Sequence, residues 1–108
     1  MAELDGGQIV ELPPAPELSS SERKKLRGQA MRLKPAVMIG RSGVTPTVVE
    51  AVNIALSMDA LIKLRIESPD RQTRKNWLKQ IADLTRSTVC GEVGHTASIY
   101  RPKPRMES

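Results

Sequence analysis

Aromatic residues are almost missing from this chain: there is no phenylalanine, one tryptophan (Trp77) and one tyrosine (Tyr100) among 108 residues. That shortage excludes RNA readers that stack bases on several exposed rings of a sheet. Cysteine and histidine occur once each, as Cys90 and His95, too few for an internal disulfide or a Cys/His zinc site. No metal or cofactor is expected. No apolar run approaches the roughly 20 residues of a membrane span. The N-terminus also lacks a basic stretch followed by an apolar one, so the expected location is the cytoplasm, with no membrane or small-molecule partner. A Walker loop is absent, His95 has no nucleophile at a telling position, and the carboxylates are scattered without acid–base pairing. Catalysis is not expected. The length suits one ordinary domain.

Charge is what the chain has, and it is unevenly placed. Residues 1–18 carry Glu3, Asp5, Glu11 and Glu17 and no lysine or arginine; all 17 basic residues follow, against eight acids, so the body is net +9. The leader also holds Gly6-Gly7, Pro13, Pro14 and Pro16. It cannot bury enough apolar surface to offset its ordering entropy and reads as a disordered acidic arm, with Ile9, Val10 and Leu12 its only docking candidates. Either it is a passive tail or it competes with nucleic acid for the basic face. Residues 19–103 form the domain and 104–108 a short tail.

From Ser19 onward helical and strand patterns alternate. Ser19 with Glu22 has capping-box spacing, opening a helix to about Leu33 with Leu26, Ala30 and Leu33 as its apolar stripe. Lys24, Lys25, Gly28 and Arg32 lie opposite, and Arg23 and Arg27 flank the stripe. Ala36–Ile39 reads as a short buried strand. Thr45 and Pro46 cap a second helix whose apolar face is Val48, Ala51, Val52, Ala55 and Leu56. Leu61–Glu67 alternates as a half-buried strand. A third helix over about Arg71–Arg86 carries Trp77, Ile81 and Leu84 as its core stripe. Thr88–Val93 and Ala97–Tyr100 form a hairpin around Gly94-His95. Cys90, on an alternating strand, is expected as a buried structural thiol. The result is an α/β two-layer sandwich of three helices and a four-stranded mixed sheet, in the order α-β-α-β-α-β-β.

Two GxxG spacings occur, and context separates them. Gly91–Gly94 contains an acid and lies in the hairpin, so it reads as a bulge or tight turn. Gly40-Arg41-Ser42-Gly43 lies between a strand end and a capped helix, where backbone amides and the positive helix end face outward. Its glycines let a phosphate backbone approach, Arg41 adds charge and Ser42 a hydroxyl. Lys34 and Arg32 are expected to enter the same region. Arg23, Lys24, Lys25, Arg27 and Arg32 fall within ten positions with only Glu22 to balance them, a cluster that attracts phosphate in a salt-sensitive way. Lys75, Lys79 and Arg86 on the third helix read as a solvated line.

The run Leu33-Lys34-Pro35-Ala36-Val37-Met38-Ile39-Gly40-Arg41-Ser42-Gly43-Val44-Thr45 resembles the signature of the CRM domain in its small stand-alone bacterial form, the YhbY type. Leu61–Ile66 and Tyr100-Arg101-Pro102 match the same pattern in order, so the resemblance spans about residues 19–103. It implies a fold like the C-terminal domain of translation initiation factor three. It also implies RNA binding without catalysis: bacterial members associate with precursors of the large ribosomal subunit, and plant-organelle relatives act in group II intron splicing. By position, Gly40, Arg41, Ser42 and Gly43 form a loop similar to that of KH domains, which clamps the nucleic-acid backbone. Lys34 precedes its strand, and Arg23, Lys24, Arg27 and Arg32 supply an adjoining patch. The acidic residues 1–18 have no counterpart in the pattern, and Val44 and Pro46 vary the start of helix two. The expected partner is RNA, in rRNA of large-subunit precursors, bound by a monomer. The rivals are another structured RNA, a protein-interaction adaptor whose binding depends weakly on salt, and a double-stranded DNA binder using Gln72, Asn76 and Gln80.

Overall fold

The protein is seen in a computed structural model that describes residues 13–103. The readings for residues 1–12, with Ile9, Val10 and Leu12, and for 104–108 lie outside the described residues. The elements are α1 (Ser20–Ala30), β1 (Pro35–Ile39), α2 (Pro46–Met58), β2 (Leu61–Ile66), α3 (Arg71–Thr85), β3 (Thr88–Val93) and β4 (Thr96–Tyr100). Each helix begins where a side chain takes an otherwise orphaned amide. Ser19 Oγ accepts from Glu22 N–H while Glu22 accepts from Ser19 N–H, Thr45 Oγ1 accepts from Val48 N–H, and Asp70 accepts from Thr73 N–H. α1 stops three residues before Leu33. The amides of Met31, Arg32 and Leu33 reach back only three residues, and Lys34, preceding Pro35, is driven out of the helical region.

The sheet order is β1-β2-β4-β3. β1 runs parallel to β2, with Ile39 beside Ile66; β2 and β4 are antiparallel, with Ile62 opposite Ile99 and Leu64 opposite Ala97; β3 closes the hairpin on β4. α2 and α3 cover one face. Val52 and Leu56 of α2 and Leu78 and Ile81 of α3 bury against Ile39, Ile62, Leu64, Ile66, Ala97 and Ile99. The α/β class, the element order and the mixed sheet are as expected; the two-layer arrangement is corrected, because the helices cover both faces of the sheet. α1 lies on the other face, where Arg27 crosses Gly91 of β3 and Ala30 is the only buried residue of the helix.

Two local readings are corrected and a third is borne out. β1 is an edge strand, and only its Ile39 is buried, because α1 crosses the far side of the sheet and leaves Ala36 and Met38 exposed. The α3 stripe is Leu78, Ile81, Ala82 and Thr85. Trp77 is half-buried, turned toward the loop after β1, and Leu84 faces outward at 56% exposure. Gly91–Gly94 is both a bulge and a tight turn: the β3 register slips between Val89 and Gly91, and Gly94 has φ 59°.

Arg101 ties the layer together. Its buried guanidinium donates to the carbonyl oxygen of Thr85 at the end of α3 and to Asn53 Oδ1 on α2, both at 2.8 Å. Cys90 is buried at 1% exposure, and desolvation pushes its thiol pKa up, which suits a structural thiol rather than a reactive one.

Candidate nucleic-acid interface

The segment Gly40–Gly43 leaves β1 at the sheet edge as one tight turn. Gly43 N–H donates to Gly40 O at 3.0 Å, and Glu67 N–H holds the strand end through Ile39 O at 2.8 Å. Arg41 and Ser42 therefore occupy the exposed corner. Among the described residues their amides have no hydrogen-bond partner, whereas the Gly43 amide is committed to the turn. The two glycines differ. A Cβ on Gly40 would meet nothing within 4 Å, whereas Gly43 has φ 73° and a Cβ there would lie 2.9 Å from Trp77 Cε2. Gly40 leaves room at the surface for an incoming backbone; Gly43 lets the turn reverse and seat on the indole. The Trp77 contact escaped sequence reasoning because only the tertiary fold brings α3 beneath the loop.

Thr45 Oγ1 takes the Val48 amide at 3.2 Å, and Pro46 has none to offer, so part of the α2 N-terminus is already satisfied. The helix dipole still favours negative charge there.

The structure disperses the other expected site residues. Lys34 precedes β1 and Gly40 follows it. Six steps of extended chain, about 20 Å, separate them, so Lys34 and Arg32 do not enter the loop region. Arg23 and Arg27 lie toward β3, on the opposite edge of the sheet from the loop. Lys24 and Lys25 are exposed on α1. The basic surface thus follows α1 and its exit across one face, with the loop at a separate corner. Arg65, Arg74 and His95, at and beyond the end of β2, are not among the expected site residues. Arg65 stands beside Met38 in the β1–β2 register and pairs with Glu67. Arg74 Nη1 donates to Ser68 O at 2.7 Å and lies 3.5 Å from His95 Nε2, while His95 O accepts from Ile66 N–H at 2.7 Å. The outward alternation of β2 was the one available signal for Arg65. Lys75 and Lys79 pair with Glu92 and Asp83 at 3.3 and 3.2 Å, as a solvated line would. Among the described residues no group of three His, Cys, Asp or Glu side chains gathers to hold a metal ion, and no helix is long and apolar enough to cross a membrane.

The CRS1/YhbY (CRM) domain profile matches residues 18–101. The chain belongs to this family. It is 33% identical over 85 residues to an RNA-binding protein of Haemophilus influenzae, covering 79% of this chain and 86% of that protein. It is 26% identical over 88 residues to a protein of Pseudomonas aeruginosa named a probable RNA-binding protein, covering 82% and 85% of the two. A solution structure of a Staphylococcus aureus protein superposes with a TM-score of 0.76 at 22% identity, covering 84% of this chain and 95% of that one. That likeness establishes the fold.

Proposed function

We propose that this CRM-domain protein binds RNA without catalysis, and that its target is rRNA in precursors of the large ribosomal subunit, whose assembly it assists. The observation that carries the reading is the exposed Gly40-Arg41-Ser42-Gly43 corner, where among the described residues the Arg41 and Ser42 amides have no partner and Arg41 adds a cation, in a chain with relatives of similar length named an RNA-binding protein and a probable RNA-binding protein. The loop amides and Arg41 hold phosphates. Arg23, Lys24, Arg27, Arg32 and Lys34 extend the contact along α1 and its exit, a second track reached by RNA that spans the sheet edge. A body of net +9 makes the affinity steeply salt-dependent.

The test is binding of large-subunit rRNA fragments by Arg41→Glu and Gly40→Asp, neither of which disturbs a packed contact. Each is expected to weaken binding by about tenfold or more at low salt, since a repelled phosphate replaces an attracted one. Unchanged affinity in both folded variants would remove the loop from the interface.

A further inference from the structure

On the face of the sheet crossed by α1, a cleft of about 250 Å³ opens between the helix and the strands, lined by Arg27, Met31, Lys63, Val93, Thr96 and Ser98. It is smaller than the roughly 300–1,000 Å³ usual for cofactor sites. Gly91 makes its floor: a Cβ there would lie 2.4 Å from Arg27 Cδ, so the arginine stem drapes over bare backbone and walls one side. Met31 at 74% and Val93 at 64% exposure present apolar surface at the rim. Among the described residues no carboxylate lines the cleft, while two cations do.

The most informative group is Ser98. It sits at 4% exposure, opposite Lys63 in the register and on the α1 side of the sheet, and among the described residues its hydroxyl has no hydrogen-bond partner. An unpaired buried hydroxyl costs stability, so its presence on the cleft wall points to a ligand that completes it. Thr96 Oγ1 donates to Val93 O at 2.9 Å and keeps acceptor capacity toward the same space.

We propose that this cleft seats one unpaired RNA base, bulged or unstacked from the strand that the basic surface holds. The inference rests on the RNA-binding reading above and adds to it a place where a base, not only the backbone, is engaged. The base edge hydrogen-bonds Ser98 and Lys63, its faces pack on Met31, Val93 and the Arg27 stem, and the flanking phosphates meet the Arg27 and Lys63 charges. Aliphatic and thioether surface takes the part that aromatic rings play elsewhere.

The experiment measures affinity of the full chain for three RNA hairpins of one stem sequence: fully paired, with a single bulged nucleotide, and with an abasic bulge. The wild type is expected to favour the bulged hairpin over both others by about three- to tenfold, the range of one or two net hydrogen bonds. Ser98→Ala and Lys63→Met should each bring that preference below about twofold while leaving paired-hairpin affinity within the effect of one lost charge. Ser98→Ala should melt at the same temperature as wild type or higher, which a structural serine would not. Equal affinity of the wild type for all three hairpins, or a bulge preference that survives both substitutions, overturns the cleft. Arg41→Glu separates the two readings. If it weakens all three hairpins alike, the loop reading stands whatever the cleft does. If it weakens none while Ser98→Ala removes the bulge preference, the cleft stands and the loop reading fails.

Discussion

Gly40 and Gly43 stand three residues apart in one turn and are held there by different physics. Gly43 adopts φ 73° and packs its bare Cα on the Trp77 indole, whereas Gly40 has open space where a Cβ would go. Gly43→Ala therefore combines left-handed strain with a steric clash and should cost about 1–3 kcal/mol. Gly40→Ala should stay within about 0.5 kcal/mol; thermal melts of the two variants check the contrast. The sequence motif treats both glycines alike, because the indole that distinguishes them is 34 positions away and its approach depends on how α3 packs. Asp70 is another residue whose role is local and testable. Hydrogen bonds from Thr73 hold its carboxyl pKa below the usual value. A group depressed in the folded state stabilises above its unfolded pKa, and that contribution is lost as pH falls through the folded one. Asp70→Asn, which keeps the cap but cannot titrate, should show a shallower loss of stability between about pH 4 and 2, read by denaturant titration across that range.

Among the elements, α2, β2 and β4 were legible because their apolar periods match how they bury: Ile62, Leu64 and Ile66 all fall in the core. In α3 the spacing of Trp77, Ile81 and Leu84 points to a stripe one position off from the one that buries, which is Leu78, Ile81, Ala82 and Thr85. β1 has an apolar composition but an edge position, which no local pattern reveals. α1 is the element with least to hold it. Only Ala30 is buried and Leu26 half-buried, and the stem of Arg27 lies over Gly91 of β3. Few buried apolar contacts mean a low local opening free energy. Amides of α1 should exchange with deuterium at least about tenfold faster than those of α2 and β4, while exchange at equal rates would show that α1 opens only with the whole domain. Bound RNA that spans α1 and the cleft beside it should slow that exchange.

At the scale of the molecule, the uneven charge and the order of elements were legible from residue types alone. The division of the sheet into a core face and a face crossed by α1 was not, because either face could have taken α1. That division puts the loop at one corner and the α1 cations along another line, so the proposed interface is two tracks and not one patch. The leader joins the body at Pro16, whose carbonyl accepts from Thr88 Oγ1 at the start of β3, next to Arg23. Removing residues 1–12 takes away Glu3, Asp5 and Glu11 and leaves that anchor and the Ser19 cap intact. If the arm competes with RNA for the basic surface, the truncated chain binds RNA more tightly, most visibly at low salt; unchanged binding at every salt concentration would make it a passive tail. The central claim is most directly tested by sedimenting a tagged chain through sucrose gradients of cell lysate at low and high salt, beside Arg41→Glu. The wild type is predicted to co-migrate with the large subunit or its precursors at low salt and to leave them at high salt, with the variant near the top of both gradients. Wild-type protein at the top at both salts, or Arg41→Glu migrating with the particles as the wild type does, would contradict it.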